Sequence, residues 1–460
     1  MTVRSTLGLV GPLWSQSSRR SLNLFEERVQ DEVGLTADRV RVDVVVVGGG
    51  QGGLGVAYYL AQGGVDFVVL ERGRLGETWR TQRWDSFALN TPNWMNGLPG
   101  ASYEGPDPYG FMTHTELAGS FEEYAERFGL PVRVGVTVTG VGPSDGEGRY
   151  LVAGESIGGE QVLYEADSVV IASGILQTPR VPAVASTIPN DIVQLNTGTY
   201  KSPELLPDGA VVVVGGGQSG AQIVEDLRGA GRTVYFSISK VPRLPRRYRG
   251  RDFMDWFLEM GMWDVETDDV DDPVILTTAN PLVSGVGPLG HSVSYQQLAR
   301  DGVRLMGRLE DVVGGEIITD DRVVEYIRNA DAKSEDLRDK IDIFIEEQGL
   351  TAAHPDPDPA DRSLAEDEHL DYLTRLDLRD AGVSTIIWCT GFTADFSWID
   401  LPVTGANGRP VHNNGEASVP GIYFIGFPWL SKRKSGVVLG IDEDAEHISD
   451  LILHHLTRDR

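Results

Sequence analysis

Two stretches of the chain run apolar without polar alternation and then break at glycines: "DVVVVGGGQGGLGVAYYLAQGGVDFVVLERG" from Asp43 and "AVVVVGGGQSGAQIVEDLRGAGRTVYFSISK" from Ala210. A run of β-branched residues that lacks a two-residue period predicts a strand buried on both faces, as in a parallel sheet. Each run leads into a helical pattern. In the second, Ile223, Val224 and Leu227 share one face, and Gly229 or Gly231 ends it. A further strand follows each helix. Elsewhere, "ELAGSFEEYAERFGL" predicts a short helix, residues from Val132 to about Tyr164 alternate as short strands, and "ADSVVIASG" predicts another buried strand. Leu337, Ile341, Phe344 and Ile345 fall on one helical face within residues 333–349. "VSTIIWCTG" repeats the style of "SVVIASG", and "VPGIYFIGF" with a terminal helix from about Ile441 closes the chain. Residues 1–40 read as a variable extension, partly helical around "LFEERVQDEV". "HPDPDPADRSLAEDEHLD" reads as an acidic, proline-rich surface loop, a solvated insert rather than a binding site.

The glycines stand at G-x-G-x-x-G spacing in both units: Gly48, Gly50 and Gly53, then Gly215, Gly217 and Gly220. A turn of this kind lets backbone approach a pyrophosphate and points amides, at a helix N-terminus, toward its charge. Gln51 and Gly52 in the first turn, and Gln218 and Ser219 in the second, complete the candidate contacts. A lone motif of this sort is weak. Two copies, each between a strand and a helix, are not.

The units differ at their ends. The residue at the tip of the second strand, about twenty positions on, meets the adenosine ribose. Glu71 lies eighteen residues after Gly53, where it can accept from ribose hydroxyls and would repel a 2′-phosphate. The matching position after Gly220 is Ile238, flanked by Ser237 and Ser239, with no acid nearby. Lys240 follows, and then "VPRLPRRYRGR" brings Arg243, Arg246, Arg247, Arg249 and Arg251 within nine residues. Guanidinium forks match phosphate oxygens. The first site therefore suits FAD or NAD, and the second NADP, for which Lys240, Arg243, Arg246 and Arg247 are the candidate cations.

Composition narrows the class. At 460 residues the chain has length for two or three domains. A formal net charge of -28 argues against nucleic acid or an anionic membrane surface as a partner. The one cysteine, Cys389, rules out a disulfide framework and a C-x-x-C redox pair. No apolar run approaches the length of a membrane span, and the N-terminus lacks a signal-peptide pattern, so a cytoplasmic enzyme is expected. Ser219 sits in no G-x-S-x-G elbow, and the eight histidines show no metal-ligand spacing.

With the order established, "GETWR", "LNTPNWMNGLPG" and "YFIGF" carry a resemblance. Over about residues 41–458 the chain resembles the class B single-component flavin monooxygenases, which include flavin-containing, Baeyer–Villiger, N-hydroxylating and YUCCA-type enzymes. It is also similar to bacterial flavoproteins labelled for potassium transport. The resemblance implies an α/β fold of two Rossmann-type dinucleotide-binding domains, the NADP domain inserted in the FAD domain. The expected boundaries are an extension at 1–40, the FAD domain at 41–204 and 392–460, and the NADP domain at 205–391. Strand ends Ala172-Ser173-Gly174 and Cys389-Thr390-Gly391 mark the crossings.

The implied chemistry uses FAD, NADPH and O2, with oxygen reaching a small-molecule substrate through a flavin C4a-(hydro)peroxide. By the same resemblance Asn90 sits beside the flavin's reactive edge as the catalytic residue, or else is a turn residue before Pro92. Trp79 packs on the isoalloxazine or in the core, Arg80 faces the flavin or forms an ion pair, and Val138 meets the adenine or packs. Acids Asp442, Glu443 and Asp444 open the terminal helix, whose N-terminal end faces the flavin in relatives. The chain departs from the F-x-G-x-x-x-H-x-x-x-[FYW] signature: "NDIVQLNTGTY" keeps Tyr200 but has Asn190, Ile192 and Asn196 at the other positions. This favours oxidation at N or S over Baeyer–Villiger chemistry. An NADPH-flavin reductase without oxygen insertion and a redox-sensing accessory of a transporter stay open.

Overall fold

Both unalternating apolar runs become central strands. The structure, a computed structural model, describes residues 38–145, 149–277, 283–285, 290–355 and 357–459; the helix expected around residues 24–33 lies outside them. Strand β1 (Arg39–Val47) runs parallel between β2 (Phe67–Glu71) and β6 (Gln161–Ile171), so Val44, Val45 and Val46 have neighbours on every side and are fully buried. Beyond β2 lies β3 (Val132–Val134), and beyond β6 lies β13 (Ile422–Phe424), both parallel. The alternating residues form β4 (Val136–Pro143) and β5 (Tyr150–Ser156), an antiparallel extension onto β6. Helices α1 (Gln51–Gln62) and α7 (Ile441–Asp459) pack together, closely enough that a Cβ on Gly55 would meet the Ile441 side chain at 2.5 Å.

The second sheet is parallel throughout. Its order is β11 (Tyr372–Leu373), β10 (Arg304–Met306), β9 (Val234–Ser237), β8 (Ala210–Val214), β12 (Val383–Trp388) and β7 (Val193–Asn196). The fold is thus α/β, with a mixed sheet whose centre is parallel and a second, wholly parallel sheet, both of the Rossmann kind. The first sheet draws on both ends of the chain, and the second lies between them in sequence. Its edge strand β7 starts ahead of the boundary expected at 205. The two crossings run side by side: Thr178–Pro179 pairs antiparallel with Phe392–Thr393, and Arg180 N donates to Gly391 O at 2.8 Å.

Helix α2 (Glu77–Thr81) and α3 (His114–Arg127) belong to the first sheet's side; α4 (Gln218–Gly229) follows the second glycine turn. Helix α6 (Val323–Gln348) contains the expected amphipathic face and starts ten residues before it. Its Leu337 and Ile341 pack with Phe253 and Trp256 of α5 (Phe253–Glu259). The acidic loop at 354–371 corrects its reading as a solvated insert. Its Asp361 is buried, accepts from Ser334 at 2.8 Å and pairs with Arg243 and Arg338.

Candidate active site

A cavity of about 1300 Å³ is lined by the first glycine turn, by β4, by Lys240 just past β9 and by α5. Gly48, Gly50, Gln51 and Gly52 form part of its wall. The three motif glycines have separate steric reasons. Gly48 has φ +112°, and a Cβ there would meet Ala172 O at 2.5 Å. A Cβ on Gly53 would lie 1.9 Å from Gly48 O, which keeps α1 tight on its strand. Gly50 has nothing within 4 Å of where its Cβ would be: the space beside it is the cavity itself. Glu71 lies on the same wall. Its two oxygens accept from Gly49 N at 2.8 Å and Gly73 N at 2.9 Å, which aims a carboxylate that still has free lone pairs. Val138 and its neighbours on β4 line the cavity beyond it.

Trp79 lines the cavity, with Arg83 stacked on its ring at 4.6 Å and near Phe87 at 5.4 Å. Arg83 is buried, and burial pulls its guanidinium down to about 10. His114 Nδ1 donates to Trp79 O at 3.0 Å in the tautomer that satisfies both groups, and desolvation holds its pKa below the usual range. Arg80 is a correction to the flavin-facing reading: it pairs with Glu122 at 2.8 Å and stands outside the cavity lining.

Asn90 lines the cavity on a loop gripped from the other side. Gln222 of α4 donates to Ala88 O at 3.1 Å, and Arg246 donates from Nη1 to Asn90 O at 2.8 Å. Arg246 is fully buried between the rings of Phe111 and Phe253 and paired with Asp252 at 2.6 Å. Arg243 is buried likewise, held by Asp331 at 2.6 Å and by Asp361. Burial lowers both guanidinium pKa values, and their carboxylates oppose the shift. Neither arginine can leave these carboxylates without stranding a buried charge. The expected phosphate cluster is corrected accordingly. Of its four cations, Lys240 and Arg247 face solvent, and Lys240 alone lines the cavity.

The second turn repeats the first in its packing. Gly215 has φ +118° with its Cβ position 2.2 Å from Cys389 O, and a Cβ on Gly220 would lie 1.9 Å from Gly215 O. Gln218 Oε1 accepts from Ser284 N at 2.9 Å. Gly215, Gly217, Gln218, Ser219 and Gly220 lie outside the lining of this cavity. At the tip of β9, Ser237 is buried and donates to Gly307 O at 2.8 Å, and the next residue, buried Ile238, stands where the first unit has Glu71.

Residues 45–249 match the family model described as pyridine nucleotide-disulphide oxidoreductase. An uncharacterized CzcO-like oxidoreductase of Geobacillus kaustophilus is 30% identical over 418 residues, covering 90% of this chain and 99% of the relative. The chain belongs to the family of this CzcO-like oxidoreductase. It is an oxidoreductase, and it is similar to indole-3-pyruvate monooxygenase YUCCA1 of Oryza sativa subsp. japonica, 28% identical over 68% of this chain and 77% of that one. Among solved structures it shares its fold with a flavin-containing monooxygenase from Stenotrophomonas maltophilia, at a TM-score of 0.58 and 20% identity, covering 91% of this chain and 99% of that one. The disulphide named in the family model finds no matching chemistry around the single cysteine. Cys389 follows β12 against the second turn, and desolvation pushes its thiol well above its ordinary range. Sequence reasoning missed Arg83, Asp252 and Gln222, which carry no motif and reach the cavity or its loop only through the tertiary fold. Among the described residues, no helix is long and apolar enough to cross a membrane.

Proposed function

We propose that the protein is an FAD-dependent, NADPH-consuming monooxygenase that places one oxygen atom from O2 on the nitrogen or sulfur of a small organic substrate. One observation carries the reading: the first glycine turn, Glu71, the Asn90 loop and an apolar lobe share a single cavity. The residues present fit FAD. Gly50 leaves the space a pyrophosphate needs, Glu71 is aimed for ribose hydroxyls, and Val136–Val138 continue the wall.

When bound, FAD supplies the redox chemistry, drawing electrons from NADPH and handing oxygen to the substrate. The chain's own part is to bind, orient and exclude water. Amides at the start of α1 meet the pyrophosphate charge. Trp79, Phe87 and the stacked Arg83 close one wall, and the Asn90 amide, which lines the same cavity, would offer the bound flavin a donor and an acceptor. The second turn would hold NADPH, since Ile238 in place of an acid exerts no repulsion on a 2′-phosphate, and the exposed Lys240 and Arg247 would be its cations.

The deciding experiment uses labelled oxygen with a panel of amines and thioethers. A product carrying one ¹⁸O per NADPH consumed is expected. NADPH oxidation that yields only hydrogen peroxide with every substrate would reject oxygen transfer in favour of a reductase.

A further inference from the structure

The far lobe of the cavity has a composition of its own. Phe253, Phe257, Trp263 and Trp429, with Met254 beside them, give it a largely aromatic wall, with Phe257 at 5.4 Å from Phe253 and 5.6 Å from Trp263 between ring centroids. Arg433 enters this apolar room with its guanidinium 5.6 Å from the Trp429 ring. The cations on either side of it are paired: Lys432 with Glu443 at 2.8 Å, and Lys434 with Asp264 at 2.6 Å and with Glu443. Those pairs occupy Glu443 and Asp264. Among the described residues Arg433 has no carboxylate partner, and desolvation lowers its pKa. Its backbone is fixed, since Arg433 N donates to Val265 O at 2.9 Å. The same loop borders the first glycine turn, where Gln51 Nε2 donates to Gly436 O at 2.9 Å.

A half-buried guanidinium in an aromatic room costs solvation that one matching anion would offset. We infer that Arg433 receives the carboxylate of an amphipathic substrate whose apolar body lies against Phe257, Trp263 and Trp429. A carboxylate fits because its two oxygens match the guanidinium fork and its single charge is balanced. A phosphate dianion would leave a net charge in an apolar lobe. This inference rests on the monooxygenase reading for the fate of the substrate, but not for its binding.

The test uses the FAD-loaded protein with 3-(benzylthio)propionate and its methyl ester, which share a thioether and differ in charge. Binding is read from the flavin absorbance change, and turnover from sulfoxide. The acid should bind about tenfold to a hundredfold tighter than the ester, the range of one charge-assisted contact. Arg433→Gln should collapse that ratio toward one, and Arg433→Lys should restore part of it. Equal binding of acid and ester by the unmodified protein, or binding of neither, overturns the inference, and so does a ratio unchanged in Arg433→Gln. A loss of NADPH affinity in Arg433→Gln, with the acid-to-ester ratio intact, also overturns it by assigning the residue to the nucleotide. Preferential acid binding without sulfoxide supports the inference and rejects oxygen transfer alone. Sulfoxide from both compounds at equal affinity leaves oxygen transfer standing and removes Arg433 from substrate recognition.

Discussion

Arg246 and Asn90 are 156 residues apart in sequence, yet a 2.8 Å hydrogen bond joins the Arg246 guanidinium to the Asn90 carbonyl. The arginine is immobilised by Asp252 and two aromatic rings, so it fixes the backbone from which the Asn90 amide projects. Arg246→Ala should lose about 3–5 kcal/mol of stability by stranding Asp252. Arg246→Lys keeps the charge but not the fork. It should fold, retain flavin and release more hydrogen peroxide per NADPH. Coupling equal to the unmodified protein in Arg246→Lys would reduce the contact to a structural one.

Asn90 itself is testable apart from its anchor. Asn90→Ala should keep FAD and still oxidise NADPH, because it touches neither glycine turn. Oxygenated product per NADPH should fall severalfold, consistent with the loss of hydrogen bonds worth about 1 kcal/mol each. Mass-balanced product and peroxide measurements decide this. Unaltered coupling would leave Asn90 as a turn residue.

The glycines of the first turn should separate folding from cofactor retention. Gly50→Val places its side chain in the cavity, so the variant should fold and purify colourless. Gly53→Ala drives its Cβ into Gly48 O and should fail to fold. Circular dichroism and flavin content distinguish the two. A yellow Gly50→Val protein would move the cofactor elsewhere.

Nucleotide preference should follow the solvent-facing cations and not the buried ones. Lys240→Ala should lower the NADPH-to-NADH ratio several-fold, as expected for one charged contact. Arg243→Ala should cost about 3–5 kcal/mol of stability, because Asp331 and Asp361 lose their shared partner. Arg243→Lys, the milder change, should leave the ratio unaltered. A ratio that moves with Arg243→Lys and not with Lys240→Ala would return the buried arginine to the phosphate site.

His114 gives a pH dependence with a defined sign. Its folded pKa is depressed by burial, while the unfolded chain titrates near about 6.5. Below that value the unfolded state takes up the proton first, so stability present above about 6.5 falls with decreasing pH. Thermal melts from pH 7.5 to 5.5 should show the loss. His114→Asn, which keeps a donor to Trp79 O, should reduce it. Parallel melting curves for the two proteins would remove His114 as the titrating group.

Much of the fold was legible because parallel sheets demand continuous apolar strands, and "VVVV" occurs twice before a glycine turn. The contrast between Glu71 and Ile238 was legible too, since each stands eighteen residues after the last glycine of its turn. The arginine cluster was not. Five neighbouring arginines looked like one phosphate site, but Asp331 and Asp361 arrive from 88 and 118 residues away to claim Arg243. Sequence proximity reports which charges are close along the chain, and only the fold decides which carboxylates reach them. The acidic loop was misread for the same reason: Asp361 is the partner of a cation far upstream.

The paired crossings at Thr178–Pro179 and Phe392–Thr393 have a mechanical consequence. They act as a two-ply strap whose plies are hydrogen-bonded to each other. Each ply holds the other in register where the chain crosses between the sheets. A single proteolytic nick in either ply would leave the halves joined by the other. An insertion in one ply alone would throw the strap out of register, so any change of length there has to be made in both.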